Sequence, residues 1–102
     1  MKESSIEQGL RTRLQRLGCL FYKFVSPGNN GVPDRIVITP GGTIIFAELK
    51  TERGTLSPEQ RVQIRRITDH NARAVVIYGK KDADSFVREV ERLTLEEGVG
   101  AR

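Results

Sequence analysis

The sequence predicts an α/β fold in the order α-β-β-β-α-β-α, a mixed central sheet flanked by helices. Three observations carry this. Apolar residues recur at helical spacing near both ends of the chain, as Ile6, Leu10, Leu14 and Leu17 and again as Ala83, Phe86, Val90 and Leu93. Between them lie short runs rich in β-branched and aromatic residues: LFYKFV, DRIVI, TIIFAELK and AVVIY. Two of these runs are joined only by the turn TPGG, which makes them antiparallel. The last run follows a helix and can enter the sheet in parallel by a crossover.

The elements follow in order. The first helix is read over roughly residues 4–18, with Ser4 as N-cap, Glu7 at the third helical position and Gly18 as its stop. A strand follows at about 20–25. The segment Ser26–Pro33, SPGNNGVP, holds two glycines, two prolines and two asparagines and forms neither a helix nor a central strand. A hairpin then pairs 34–38 with 43–50 around the turn 39–42. A second helix runs from Ser57 to about Asn71, with Ser57 as cap, Pro58 at the first position and Gln60 at the third. The strand 74–78 is apolar and buried, and a final helix spans about 82–95. Residues 1–95 then form one domain, and 96–102 (EEGVGAR) read as a frayed tail.

Composition narrows the function classes. A chain of 102 residues suits one domain with a real core. No apolar run approaches the ~18 residues of a membrane helix. The start MKESSIEQ has no apolar segment of the kind a secretory signal needs. The single cysteine, Cys19, excludes an internal disulfide framework and Cys-based zinc sites, and is expected in or near the core. The single histidine, His70, falls at a helix end, where a charge–dipole role is the expectation and catalysis is not.

Net charge is +4, from 17 Lys and Arg against 13 Asp and Glu. Residues 1–30 and 51–80 each carry +3, while 81–102 carry −2. The excess suggests an anionic partner. Arg11, Arg13, Arg16, Lys23, Arg35, Arg53, Arg61, Arg65, Arg66 and Arg73 are the candidate phosphate contacts, since guanidinium binds phosphate bidentately. Lys23, Arg35 and Arg53 lie in or beside the hairpin 34–50 in sequence and rank first. Most of the others are expected on solvated helix faces.

The chemistry concentrates on the hairpin. Side chains two apart on a strand share a face, so Ile44, Phe46, Glu48 and Lys50 point one way, and Ile45, Ala47 and Leu49 the other. Charges on an otherwise apolar face need pairing or a metal. A Glu48–Lys50 surface pair, worth at most about 1 kcal/mol, is one such arrangement. Asp34 offers another. If Thr39 lies opposite Thr43, Asp34 lies opposite Glu48 on the same face; a one-residue slip turns it to the other side. The sequence therefore predicts an odd-numbered loop or a bulge. Two carboxylates about 4 Å apart repel by roughly 4 kcal/mol at an effective dielectric of ~20, which favours a shared proton or a cation. Oxygen-only ligands suit Mg²⁺ or Mn²⁺.

Pro33-Asp34, followed after thirteen residues by Glu48-Leu49-Lys50, resembles the P-D…(D/E)-x-K nuclease signature. The extended pattern is more specific: Gly31-Val32-Pro33-Asp34-Arg35-Ile36, Ala47-Glu48-Leu49-Lys50 and Leu56-Ser57-Pro58-Glu59-Gln60. It is similar to the VRR-NUC (virus-type replication-repair nuclease) family, and the resemblance runs from Glu7 to about Tyr78. It implies a restriction-endonuclease-like core and a stand-alone, minimal member. It implies that Asp34 and Glu48 ligate a divalent metal, Mg²⁺ or Mn²⁺, with the Leu49 backbone carbonyl as a third ligand and Glu7 acting through metal-bound water. Lys50 would orient or deprotonate the attacking water or stabilise the developing charge. Gln60 would contact the water or phosphate.

Glu7 and Gln60 also fit local capping boxes, Ser4-x-x-Glu7 and Ser57-x-x-Gln60. Asn29 and Asn30, in the loop before Asp34, could touch DNA or a neighbouring subunit, or simply connect. The expected activity is metal-dependent endonucleolytic hydrolysis of DNA, with branched substrates such as Holliday junctions or flaps implied by the resemblance. A homodimer and a cytoplasmic location, in a bacterial cell or a phage-infected host, are expected with it. The alternatives are a non-catalytic nucleic-acid-binding module, and a protein-interaction role centred on the acidic segment 81–102.

Overall fold

The first helix forms because its apolar stripe can be buried whole: Ile6, Leu10 and Leu14 are 3%, 0% and 0% exposed. The computed structural model describes residues 3–98. In chain order they build α1 (Glu3–Arg16), β1 (Leu20–Lys23), β2 (Arg35–Ile38), β3 (Ile44–Lys50), α2 (Pro58–Asp69), β4 (Arg73–Tyr78) and α3 (Gly79–Glu97). This is the predicted order. Because α1 already includes Glu3, Ser4 sits inside the first turn and is not its cap. The start of that turn lies outside the described residues.

Helix ends follow local chemistry. Gly18 (φ 86°) closes α1, with Gly18 N–H donating to Gln15 O and Cys19 N–H to Leu14 O. This is the double bond pattern of a left-handed helix stop. Asn71 (φ 63°) closes α2 in the same way, through Asn71 N–H to Thr68 O and Ala72 N–H to Ile67 O. Asn tolerates that conformation, so α2 stops two residues short of the expected end. His70 is the C-cap of α2, as its helix-end expectation required, with Nδ1 2.6 Å from Arg66 O.

The sheet has order β1-β2-β3-β4, antiparallel for the first two pairings and parallel for β3–β4. β1 ends at Lys23, before Phe24 and Val25, because the chain turns at Ser26 and Pro27 cannot donate to a ladder. Phe24 still donates its N–H to Asp34 O at 2.9 Å, so the two chains stay aligned beyond the formal strands. In the hairpin, Arg35 faces Ala47 and Ile38 faces Ile44. Thr39 N–H donates to Thr43 O, leaving the three-residue loop 40–42 with Gly42 at φ 92°. The predicted odd-numbered loop is present.

α1 and α3 cover one sheet face, where Phe21, Val37, Ile45, Ala47, Leu49 and Ile77 meet Ala83, Phe86 and Val90. Cys19 joins this core, and burial pushes its thiol up to about 11, so it stays protonated and inert. α2 covers the other face only in part. Its inner stripe Gln60, Ile64 and Ile67 is half-buried, with no fully buried residue. The uncovered part of that face exposes Leu20 (47%), Tyr22 (53%) and Ile44 (49%).

α3 departs most from expectation. It begins at Gly79, three residues early, where the Asp82 carboxylate accepts from Tyr78 N–H. It runs on through Glu96 and Glu97, so these two residues are helix and not frayed tail; residues 99–102 lie outside the described residues. The tertiary reason is Glu97. Its carboxylate accepts from Thr39 Oγ1 and Thr43 Oγ1, both at 2.6 Å, and from Gly41 N–H at 3.0 Å. No local pattern announces bonds to a turn more than fifty residues away.

These bonds, led by the Thr39 and Thr43 hydroxyls, lower the Glu97 pKa from 4.5. A carboxyl with a depressed folded pKa stabilises above its unfolded value and loses that contribution as pH falls through the folded value. Glu97→Gln is therefore expected to lower the melting temperature at pH 7. It should also flatten the loss of stability between pH 5 and pH 3, followed by thermal unfolding across that range.

Candidate active site

The hairpin register decides which side chains meet. The paired register ends at Arg35↔Ala47, so Asp34 lies just before β2 and Glu48 just beyond Ala47 on β3. Glu48 shares the face of β3 that carries Phe46 and Lys50. Beside them Phe24 and Phe46 pack edge to face, 5.5 Å between ring centres, giving the site an apolar floor.

Glu48 is a buried carboxylate, its side chain 7% exposed. Lys50 Nζ lies 4.0 Å from Glu48 Oε2, and Gln60 Nε2 donates to the same oxygen at 3.2 Å. Gln60 is used at both ends: its Oε1 accepts from Ser57 N–H at 2.9 Å, while Ser57 Oγ accepts from Gln60 N–H at 3.1 Å. The capping box and the contact with Glu48 are thus properties of one side chain. Helix α2 is capped and tied to β3 through a single amide.

Asp34 has two unlike oxygens. Oδ2 is 3.3 Å from Arg35 Nη1, whereas Oδ1 is buried and has no hydrogen-bond partner. Arg35 points to the α1 side. Its Nη1 donates to Asp34 O at 3.0 Å, and its Nε, buried without a hydrogen bond, lies 3.7 Å from Glu7 Oε1. Glu7 also accepts from Arg11 Nη2 at 2.6 Å. Arg11 in turn donates to Phe21 O and lies 4.9 Å above the Phe21 ring.

Glu48, Lys50 and Gln60 come together on the α2 side. Glu7 stands on the α1 side, and Arg35 lies between it and Asp34. Among the described residues, no three of Asp, Glu, His and Cys converge as a ready metal cluster. The donor set still suits a hard divalent cation. Asp34 Oδ1, buried without a hydrogen-bond partner, and the buried Glu48 carboxylate are oxygen donors of the kind such an ion takes together with water.

The predicted nucleic-acid contacts are placed unequally. Lys23 is exposed and borders a cleft of about 540 Å³ with Ser4, Glu7, Arg11 and Arg35. Arg53 is exposed on the loop between β3 and α2. Arg35 is only 12% exposed and is taken up by the two acids. Asn29 Nδ2 closes its own turn on Ser26 Oγ, and Asn30 lies against the start of α2 beside Pro58 and Glu59. What sequence reasoning missed is Arg35 as an internal counter-charge. Its position directly after Asp34, at the first residue of β2, was the available signal.

The fold and this carboxylate–lysine face define the class of restriction-endonuclease-like nuclease domains. The profile of the VRR-NUC domain matches residues 1–81. A solved structure described as a VRR_NUC domain superposes with a TM-score of 0.79 and 30% identity, covering 84% of this chain and 94% of that one. A phage protein named "Putative nuclease p44", of Acyrthosiphon pisum secondary endosymbiont phage 1, is 47% identical over 60 residues. That match spans 59% of this chain and 64% of the length of the relative. The chain belongs to the VRR-NUC family of nuclease domains.

Replacing Arg35 leaves Glu7 and Asp34 without their shared cation. Arg35→Ala is expected to cost about 2 kcal/mol in urea unfolding, the range for charged hydrogen bonds lost in a mostly buried place. Arg35→Lys should recover only part of it, because an ammonium cannot span both acids.

Proposed function

We propose that this domain is a divalent-metal-dependent endonuclease that hydrolyses DNA phosphodiester bonds, selective for branched structure such as Holliday junctions or flaps. The observation that supports this is the buried Glu48 carboxylate beside Lys50 Nζ on β3, with Asp34, one of whose oxygens is buried without a partner, just before the strand paired with it. Asp34 and Glu48, with the Leu49 carbonyl, would hold Mg²⁺ or Mn²⁺; when bound, the ion supplies Lewis-acid polarisation of the phosphoryl group and a more acidic water. Gln60 fixes the orientation of the Glu48 carboxylate, as the outer partners of ligating groups do. Lys50 sets a cation where charge builds on the phosphoryl oxygens. Arg35 steadies Asp34 from the opposite side, and Glu7 contributes through water.

The DNA backbone is read by arginines with no other use. On α3, Arg92 pairs with Glu89 and Glu96, and Lys80 pairs with Asp84. On α2, the exposed Arg61, Arg65 and Arg66 pair with no acid among the described residues. Arg61 and Arg65 are one turn apart, directly after Gln60, about 6 Å along the helix. So small a domain has little surface for sequence readout, which favours structure-selective cutting. A two-fold branched substrate is best served by a homodimer, and the open sheet face at Leu20, Tyr22 and Ile44 is the surface for it.

Purified protein with Mg²⁺ or Mn²⁺ is expected to cut branched DNA, and Asp34→Ala or Lys50→Ala to reduce the rate at least ~100-fold. Equal rates in the variants would reject the site. Calorimetric titration with Mn²⁺ should show binding that Glu48→Gln abolishes; salt-sensitive DNA binding with no metal binding would favour a non-catalytic module. Arg61→Gln and Arg65→Gln should each lower the slope of log affinity against log salt by about 1. Tyr22→Glu is expected to turn a dimer into a monomer by light scattering, and a monomeric wild type would reject the dimer.

A further inference from the structure

We propose that Gly31 is a positioning residue for the active site, docking the loop before Asp34 onto the first turn of α2 and so setting where Gln60 meets Glu48. The inference rests on reading Glu48 as part of the metal-holding site.

Two features of Gly31 support it. Its backbone is left-handed, with φ at 90°. A Cβ at this position would lie 2.5 Å from Glu59 C, 2.6 Å from Glu59 O and 2.7 Å from Gln60 N. These are main-chain atoms of a helix start and cannot swing aside as a side-chain end could. Gly28, in the same loop, has a similar φ of 84°, yet nothing lies within 4 Å of its Cβ position. Gly28 needs glycine for backbone freedom alone; Gly31 needs it for the close approach as well.

The approach occurs where displacement matters most. The main chain pressed by Gly31 belongs to Glu59 and Gln60. The Gln60 amide bonds Ser57 N–H at 2.9 Å and Glu48 Oε2 at 3.2 Å. With both ends used, a shift of a few tenths of an ångström at the helix start must lengthen one of them. On its other side Gly31 leads through Val32 and the buried Pro33 into Asp34. One contact therefore sets the loop that delivers Asp34 against the helix that orients Glu48.

The test compares Gly31→Ala, Gly28→Ala, Gln60→Ala and the double variant Gly31→Ala/Gln60→Ala. Single-turnover cleavage of a four-way junction with Mn²⁺, thermal unfolding and the NMR signal of the Gln60 side-chain amide are followed together. Gln60→Ala is expected to slow cleavage about 10–100-fold, the usual effect of losing an outer partner of a ligating group. Gly31→Ala should match that loss and shift the Gln60 amide signal. The double variant should be no slower than Gln60→Ala alone, because the two act through one contact. Gly28→Ala should cleave at the wild-type rate.

The proposal is overturned if folded Gly31→Ala is fully active, if the two losses multiply, or if Gly28→Ala loses as much. If Gly31→Ala does not fold, one glycine inserted between Gly31 and Val32 removes the register of the contact without adding a Cβ. It should reproduce the Gln60→Ala loss, and full activity in it overturns the proposal. Equal cleavage by the wild type and Gln60→Ala would instead reject the role of Gln60, and with it the reading of the site.

Discussion

One unit of register in the β2–β3 hairpin holds the site together. Strand side chains alternate, so a slip of one residue would carry Asp34 to the Arg35 side of the sheet while Glu48 stayed where it is. The three-residue loop 40–42 prevents the slip, and Gly42 supplies the left-handed residue such a loop requires. The loop is also held from outside. Glu97, at the end of α3, binds both threonines that bound the loop and the Gly41 amide within it. The last turn of the last helix thus supports the geometry of a site at the opposite end of the same two strands.

That site concentrates negative charge, and the protein handles each carboxylate differently. Glu48 is buried and met by a neutral amide and an ammonium. Glu7 is met by two guanidiniums. Asp34 shares one of these through Oδ2 and keeps Oδ1 unpartnered. Leaving a buried oxygen unpaired costs about 1–3 kcal/mol, a strain tolerated where a further ligand completes the arrangement. Setting these three acids apart leaves ten against 17 basic residues on the rest of the chain.

Much of this was legible in the sequence because the signals are local. Stripes at helical spacing, Gly18 as a stop, Ser57-Pro58 as a start and the turn around Gly41-Gly42 each act within a few residues. The odd-numbered hairpin loop and the register of β2 against β3 were legible too, since they need only alternation and the loop length. What escaped depends on distant partners. Arg35, expected as a phosphate contact, is mostly covered and lies between Glu7 and Asp34, a placement that depends on α1. The segment 81–102 looked like an acidic surface, but Asp84, Glu89, Glu96 and Glu97 all have partners. Glu96 and Glu97 looked frayed because the chain after them is polar and glycine-containing.

By itself the sequence determined the order of elements, the odd-numbered loop that sets the β2–β3 register, and the capped helix that carries Gln60. These follow from alternation, spacing and turn chemistry, which act along the chain. Only the tertiary structure decided that α1 and α3 share one sheet face while α2 half-covers the other. It likewise decided that Arg35 lies between Glu7 and Asp34, and that Gly31 lies against the start of α2. Those outcomes depend on which surfaces meet after the chain has crossed from one face to the other. Burial then selects the partner of each charge, and no local pattern encodes that choice.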